Sequence, residues 1–311
     1  MKFSITIPAY KQKYLSEAIE SCLAQTYQEF EVIIVDDASP EDLKSVVDKF
    51  DDTRIRYYRN EKNCGALNVV DNWNICLSYA TGDYVICMGD DDKLLPNCLE
   101  TYASLMEKYP NLSIYHGLTE IIDENSEVSN IQEARPEREG VFSMINGRLR
   151  NHRLQYIGDW AMSRERLNQM HGYVKKPMAW GSDDLTAYQL ALQNGVANSQ
   201  ITIFQYRVSS LTISNSGHYR EKAKTQMDVF SDIEKLLASE SCLHDGKEET
   251  FKISTLKMIP ELKRMSIQGY MRSDMRETGM LSGFIWWLRN IHQYGFSRKE
   301  VVKTWVKSLK F

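Results

Sequence analysis

Residues Tyr84–Pro96 read YVICMGDDDKLLP, an apolar run that ends abruptly on three adjacent carboxylates, Asp90, Asp91 and Asp92. A short continuous apolar run is the pattern of a strand covered on both faces, so the triplet sits where such a strand leaves the core. The same arrangement occurs earlier in EVIIVDD, where Val32–Val35 stop at Asp36 and Asp37. Working outward, Phe3–Ile7 is a β-branched run ended by Pro8, RIRYY is a third strand and LSIYHGL a fifth. Helical spacing separates them: Leu15, Ala18, Ile19, Cys22 and Leu23; Leu43, Val46, Val47 and Phe50; Leu67, Val70, Trp73, Asn74 and Leu77; Leu99, Tyr102, Leu105 and Met106. Strand and helix in regular alternation predict an α/β domain with a mainly parallel sheet. In such sheets ligands bind beyond the carboxyl ends of the strands, so both acidic clusters are expected to face one crevice.

Punctuation sharpens the boundaries. In SPED, Ser39 reads as an N-cap, Pro40 as a first helical residue and Asp42 as a capping-box acid. A helix is expected over 65–80 with Gly82 as its stop. Pro96 opens the next helix, which ends before Pro110. Between Asp123 and Gly140 the sequence turns polar without a period and reads as a surface loop or lid.

Composition bounds the function. The 311 residues, 42% of them hydrophobic, suffice for one large domain or two. The net charge of −4 offers no general basic field, which speaks against nucleic acid as a partner. Six cysteines, Cys22, Cys64, Cys76, Cys87, Cys98 and Cys242, show neither a CxxC pair nor finger spacing and read as reduced thiols. The beginning MKFSITIPAY is too quickly polar for a signal peptide, and no run is long enough to span a bilayer; a cytoplasmic protein is expected.

Three carboxylates at a partly dry site repel one another, and a cation relieves that repulsion. Mg²⁺ and Mn²⁺ prefer oxygen ligands and are commonly held by one or two carboxylates, with substrate phosphates completing the shell. A diphosphate is the expected third party. The plainer alternative for each cluster is a solvated turn or a helix cap.

Taken in order, SITIPAYKQKYLSEAIESCLAQTYQEFEVIIVDDASPED, NEKNCGALNVVDNWNICLSYATGDYVICMGDDDKLLP, HGYVKKPMAWGSDDLTAYQLALQNGVA and FQYRVSSLTIS resemble a family 2 glycosyltransferase. The resemblance covers about the first 215 residues. It implies a GT-A fold, a Rossmann-like mixed sheet flanked by helices, with the catalytic domain over 1–218 and a helical extension over 219–311. The nucleotide-binding half would be 1–115 and the acceptor half 116–218. It implies a nucleotide-sugar donor, most readily a UDP-sugar, a glycan or lipid-linked acceptor, Mn²⁺ or Mg²⁺ as cofactor, transfer with inversion, and a place in surface polysaccharide or glycoconjugate assembly.

Residue by residue, the resemblance assigns Pro8, Ala9 and Tyr10 to the base pocket, Asp36 or Asp37 to reading the base, and Asn63, Cys64 and Gly65 to the nucleotide. Asp91 is the favoured metal ligand, with Asp92 the alternative and Asp90 serving the ribose. Many relatives carry an acid at the position of Gly89, which shifts how the motif is framed. Inversion needs a base to deprotonate the acceptor hydroxyl. WGSDD resembles the segment that supplies it, so Asp184 is the expected base, with Asp183 beside it and Trp180 offering an apolar face to a sugar. As plain sequence, Ser182 and the two acids are a helix cap and first turn. His218 is a candidate ligand for metal or diphosphate, and Arg207 for phosphate.

The last third is helical in composition. GFIWWLRNIHQYGFSRKEVVKTWVKSLKF joins Phe284, Ile285, Trp286, Trp287 and Leu288 to Arg298, Lys299, Lys303, Lys307 and Lys310, a pattern suited to peripheral contact with anionic lipid. Packing of the aromatics on the catalytic domain, or across a homodimer, is the plainer reading. Phosphoryl-transfer proteins also place acids at strand ends, but neither VDDASP nor GDDDKL is a DxDx[TV] motif. A silent relative that only binds nucleotide or glycan is the other rival.

Overall fold

The computed structural model describes residues 1–209, 217–239 and 246–308. The chain runs β1 (Phe3–Ala9), α1 (Leu15–Leu23), β2 (Phe30–Asp36), α2 (Leu43–Val47), β3 (Ile55–Arg59), α3 (Val69–Tyr79) and β4 (Tyr84–Cys87). It continues through β5 (Lys93–Leu94), α4 (Cys98–Lys108), β6 (Ile114–Ile122), β7 (Val128–Ile131), β8 (Arg138–Glu139), α5 (Val141–Leu149), β9 (Trp160–Ser163), α6 (Arg164–Gln169), α7 (Ser182–Ala191) and β10 (Val196–Arg207). The C-terminal helices are α8 (Tyr219–Ala238), α9 (Gly246–Thr278), α10 (Met280–Asn290) and α11 (Arg298–Ser308).

One sheet carries the spatial order β3-β2-β1-β4-β9-β6-β10-β5, with β7 beside β6 and β8 beside β10. β3, β2, β1 and β4 are mutually parallel, whereas β9 enters antiparallel between β4 and β6. The sheet is therefore mixed. β2 is buried at every residue and β1 at all but one, which is why these strands read as unbroken apolar runs. One core fills the α1, α2 and α4 side. The other joins α3, α5 and α7 to the sheet and also takes Val229, Phe230, Ile233, Leu236, Leu237 and Ile259 from α8 and α9. The expected boundary at 218 thus crosses a shared core, and that at 115 falls inside β6.

Several local expectations are corrected. The cap of α2 is Asp42, whose carboxylate accepts from the Ser45 N–H at 3.1 Å, because Ser39 is committed to the turn, donating to the Tyr10 carbonyl at 2.7 Å. The segment 66–68 is a 3₁₀ turn ahead of α3, so Leu67 faces solvent. Helix α3 ends on Ala80 in extended conformation. Gly82 serves close approach instead: a β-carbon there would stand 2.7 Å from the Phe3 carbonyl carbon. The expected lid over 123–140 contains β7 and β8, paired to the sheet. Its polar composition reflects an edge strand with both faces exposed.

Candidate active site

The ends of β1, β2 and β4 converge through hydrogen bonds. The backbone N–H groups of Tyr10 and Lys11, just past Pro8 and Ala9, donate to Asp90 Oδ2 at 2.6 and 2.7 Å. The Asp37 N–H donates to the Ala9 carbonyl at 2.9 Å. Asp36 is wholly buried and spent internally, accepting from the Ser39 N–H, the Tyr57 hydroxyl and Arg59. Asp37 is 8% exposed and is the less enclosed of the two. It accepts from the Cys64 N–H on both oxygens and from Asn60, while Asn63 Nδ2 donates to its carbonyl at 2.7 Å. Gly65 follows at φ 81°, a left-handed conformation natural to glycine. Tyr10, just past the end of β1, is 43% exposed, with its ring available for stacking.

The triplet is differentiated by its contacts. Asp90 is held by two N–H groups, yet burial and then the charge of Asp91 push its carboxyl up to about 6. Asp92 is buried, accepts from the Arg207 N–H at 2.9 Å and is raised well above the carboxylate range by burial and then by Asp91. Asp91 is raised by burial, opposed by the charge of Lys11, and among the described residues no other residue donates to its carboxylate. Gly89 explains the geometry. A β-carbon there would stand 2.9 Å from both Asp91 Oδ1 and Asp92 Oδ2. An acid at that position would occupy the space on which the two carboxylates converge.

Those oxygens fit a divalent cation. Among the described residues no group of three or more His, Cys, Asp or Glu side chains encloses a metal. One or two converging carboxylates are nonetheless what Mg²⁺ requires when a substrate diphosphate completes its shell. The hard oxygen donors suit Mg²⁺ or Mn²⁺ and argue against a softer metal.

A cavity of about 380 Å³ opens from Asp92 toward α7. Asp92, Tyr156 and Tyr206 share its lining with Asp183, Asp184, Trp180, Arg148, Gln155 and Gln226. Tyr156 and Tyr206 stack with ring centroids 3.7 Å apart. The two acids of SDD differ sharply. Asp184 takes Arg148 Nε on both oxygens at 3.2 and 3.1 Å and Gln155 Nε2 at 2.7 Å. No side chain among the described residues donates to Asp183, which takes the Asp184 backbone N–H, and burial, followed by the charge of Asp184, raises it to about 7 against the pull of Arg148. An unspent carboxylate titrating near neutrality suits a general base better than one saturated by a guanidinium.

The loop before α7 is conformationally costly. Met178, Ala179 and Gly181 all have positive φ, at 61°, 55° and 79°, which is unfavourable for the two that carry a β-carbon. Gly181, not Ser182, is the residue preceding α7; the Ser182 hydroxyl accepts from the Lys176 N–H at 3.0 Å and so closes the loop.

Two further candidates lie elsewhere. Arg207 is fully buried and spends its guanidinium on the Asp91 and Asp123 carbonyls, the Ser126 hydroxyl and Glu17, with its cation 4.1 Å from the Tyr14 ring centroid. It props the acidic turn and is not a free phosphate ligand. His218 precedes α8 and lines a separate cavity with Asp274, Glu277 and Thr278, so the described chain does not bring it to Asp91 and Asp92. No sequence motif marks Arg148, Gln155, Tyr156 or Gln226. Tyr206 did lie in FQYRVSS, one residue before the arginine singled out. The aromatic C-terminal segment is mostly consumed by packing: Trp287 is buried and donates to Asp274 at 2.9 Å, in a cluster with Ile291, Tyr294 and Val301.

The model of the family described as "Glycosyl transferase family 2" matches residues 4–170. The chain is 36% identical over 124 residues to the UDP-Glc:alpha-D-GlcNAc-diphosphoundecaprenol beta-1,3-glucosyltransferase WfgD of Escherichia coli, covering 40% of this chain and 47% of the relative. It is 38% identical over 110 residues to the GalNAc(5)-diNAcBac-PP-undecaprenol beta-1,3-glucosyltransferase of Campylobacter jejuni, covering 34% of each. The matches thus span about half or less of these relatives' own length. Among solved structures, TarS residues 1–349 from S. aureus in complex with UDP-GlcNAc aligns with a TM-score of 0.66 at 15% identity, covering 99% of this chain and 90% of that one. The mannosyltransferase PcManGT of Pyrobaculum calidifontis, in complex with GDP-Man and Mn²⁺, aligns with a TM-score of 0.56 at 15% identity, covering 99% and 87%.

Proposed function

The chain belongs to glycosyl transferase family 2 and has the GT-A fold, and on that premise we propose that it transfers a sugar, with inversion, from a UDP-sugar to a lipid-linked glycan in surface polysaccharide assembly. The observation that carries this reading is that one cavity joins the acidic triplet, through Asp92, to an unspent basic carboxylate, Asp183. Donor activation and acceptor deprotonation need those two functions on opposite sides of one sugar.

In this reading Tyr10 stacks on the nucleobase against Pro8 and Ala9, Asp37 with the Asn63–Gly65 turn reads its edge, and Asp90 holds the loop that meets the ribose. Asp91 and Asp92 would hold Mn²⁺ or Mg²⁺, which supplies positive charge against the departing diphosphate. Asp183 accepts the proton of the acceptor hydroxyl as its oxygen bonds the anomeric carbon. The bond from that carbon to the diphosphate oxygen breaks, its electron pair leaving with the nucleotide. Asp184, fixed by Arg148 and Gln155, orients the start of α7 and holds Asp183 near neutrality through its charge. This reverses the order in which the resemblance ranked the two acids. Trp180 offers the acceptor sugar an apolar face.

The UDP donor is supported by the name of the E. coli relative, and the lipid-linked acceptor by the names of both the E. coli and C. jejuni relatives. No helix among the described residues is long and apolar enough to cross a membrane; the contact proposed with such an acceptor is peripheral. Exposed Leu281, Ile285, Val302 and Val306 on α10 and α11, with neighbouring Lys299, Lys303 and Lys307, favour that over a homodimer. The deciding experiment is calorimetric titration of UDP-, GDP-, dTDP- and CMP-sugars with Mn²⁺ and with chelator. Metal-dependent binding of one UDP-sugar is expected; binding of none by folded protein would overturn the reading.

A further inference from the structure

The cavity wall facing Asp183 is built partly by a helix outside the matched family region. Along α8, Lys222, Gln226, Val229 and Asp232 recur at intervals of three and four, so they share one face. That face grips the loop that carries Trp180. The Lys222 ammonium stands 4.9 Å from the Trp180 ring centroid, Lys176 pairs with Asp232 at 2.6 Å, and Val229 Cγ2 lies 2.9 Å from where a Gly181 β-carbon would be.

Gln226 is the polar member of that face lining the cavity. Its amide has a determined orientation. Trp180 Nε1–H lies 3.0 Å away, and an indole nitrogen is a donor only. The group it meets must therefore be the amide oxygen, which also accepts from the Tyr270 hydroxyl at 3.3 Å. The amide nitrogen is left with two donors and no partner among the described residues. Trp180 precedes Asp183 by three residues, so a sugar lying on the indole is on the base side of the cavity, where an acceptor belongs.

We propose that Gln226 is a specificity-determining residue for the acceptor, its side-chain NH₂ donating to a hydroxyl or an acetamido carbonyl oxygen of the acceptor sugar stacked on Trp180. The inference rests on the glycosyltransferase reading above. It gives the C-terminal extension a role in choosing the acceptor, since the residue that holds Trp180 in place also presents the recognising donors.

The informative variant is Gln226→Glu, because a carboxylate still accepts from Trp180 and Tyr270 but has no hydrogen to give; Gln226→Met removes both functions. The full chain would be assayed with UDP-glucose and UDP-GlcNAc as donors and with p-nitrophenyl β-glucoside and p-nitrophenyl N-acetyl-β-glucosaminide as acceptor probes. Losing one neutral donor should raise the KM of the better probe about three- to tenfold, while the donor KM changes by clearly less. Gln226→Met should add a change in tryptophan fluorescence as Trp180 loses its partner. An acceptor KM left unchanged by Gln226→Glu, or a donor KM rising in step with it, overturns the inference, as does wild-type enzyme that hydrolyses a donor yet binds neither glycoside. Wild-type protein that neither binds nor hydrolyses any nucleotide sugar would instead defeat the parent reading.

Discussion

At the scale of single residues, the proposed chemistry depends on how neighbouring carboxylates are made unequal. Asp183 and Asp184 are adjacent, but the Arg148 and Gln155 bonds fall on the second and leave the first to titrate near 7. A base works only when deprotonated, so kcat/KM should fall about tenfold per pH unit below that value and level off above it. Asp183→Asn should lower kcat by at least about 100-fold with donor affinity nearly kept. Asp184→Asn should cost less and move the acid limb to lower pH, because it removes the negative charge that raises Asp183 and frees Arg148 to lower it; Asp159, also buried nearby, raises Asp183 in both proteins. A larger loss in Asp184→Asn, with an unmoved limb, would return the base role to Asp184. At the other end of the cavity, Asp91→Asn should remove most of the Mn²⁺-dependent part of donor binding measured by calorimetry and leave the chelator-insensitive part intact.

Elements meet at contacts that tolerate little change. Gly82 lies where β4 begins, against the backbone of β1, and backbone cannot move aside as a side-chain tip can. Gly82→Ala should cost about 2 kcal/mol or more in urea unfolding, as overpacking does. The same corner carries Glu31, which burial alone would raise but which bonds from Ser4, Thr81 and Lys2 lower to about 2. Its folded value lies below the unfolded one, so its contribution to stability is whole above about pH 4.5 and lost as pH falls toward 2. In Glu31→Gln the acid arm of a stability-versus-pH curve should flatten over that window.

For the whole molecule, the question is whether the extension is an appendage. Phe230, Ile233, Leu236 and Leu237 of α8 share a core with Trp160, Leu185 and Tyr188 of the sheet and α7. A chain ended at 218 would expose that apolar surface, so it should aggregate or fail the cooperative thermal transition of the full protein. A soluble truncated monomer with an unchanged melting temperature would show the extension to be independent. Flotation with anionic liposomes tests the membrane face, and replacing Lys299, Lys303 and Lys307 with glutamate should weaken any recovery in the lipid fraction.

The sequence by itself determined the parallel half of the sheet, because β1, β2 and β4 are buried on both faces and leave unbroken apolar runs that stop at acids. It also indicated which two acidic segments would meet beyond the carboxyl ends of those strands, since in such sheets that is where loops converge. Tertiary structure alone decided which of these groups are spent on partners and which are left free. Whether Asp183 or Asp184 is free depends on Arg148, thirty-odd residues away on α5 and in no motif. That Arg207 is a prop follows from partners as distant in sequence as Glu17 and Asp123. The entry of β9 between β4 and β6, and of Gln226 into the cavity, likewise depends on long-range packing, which local periodicity does not encode.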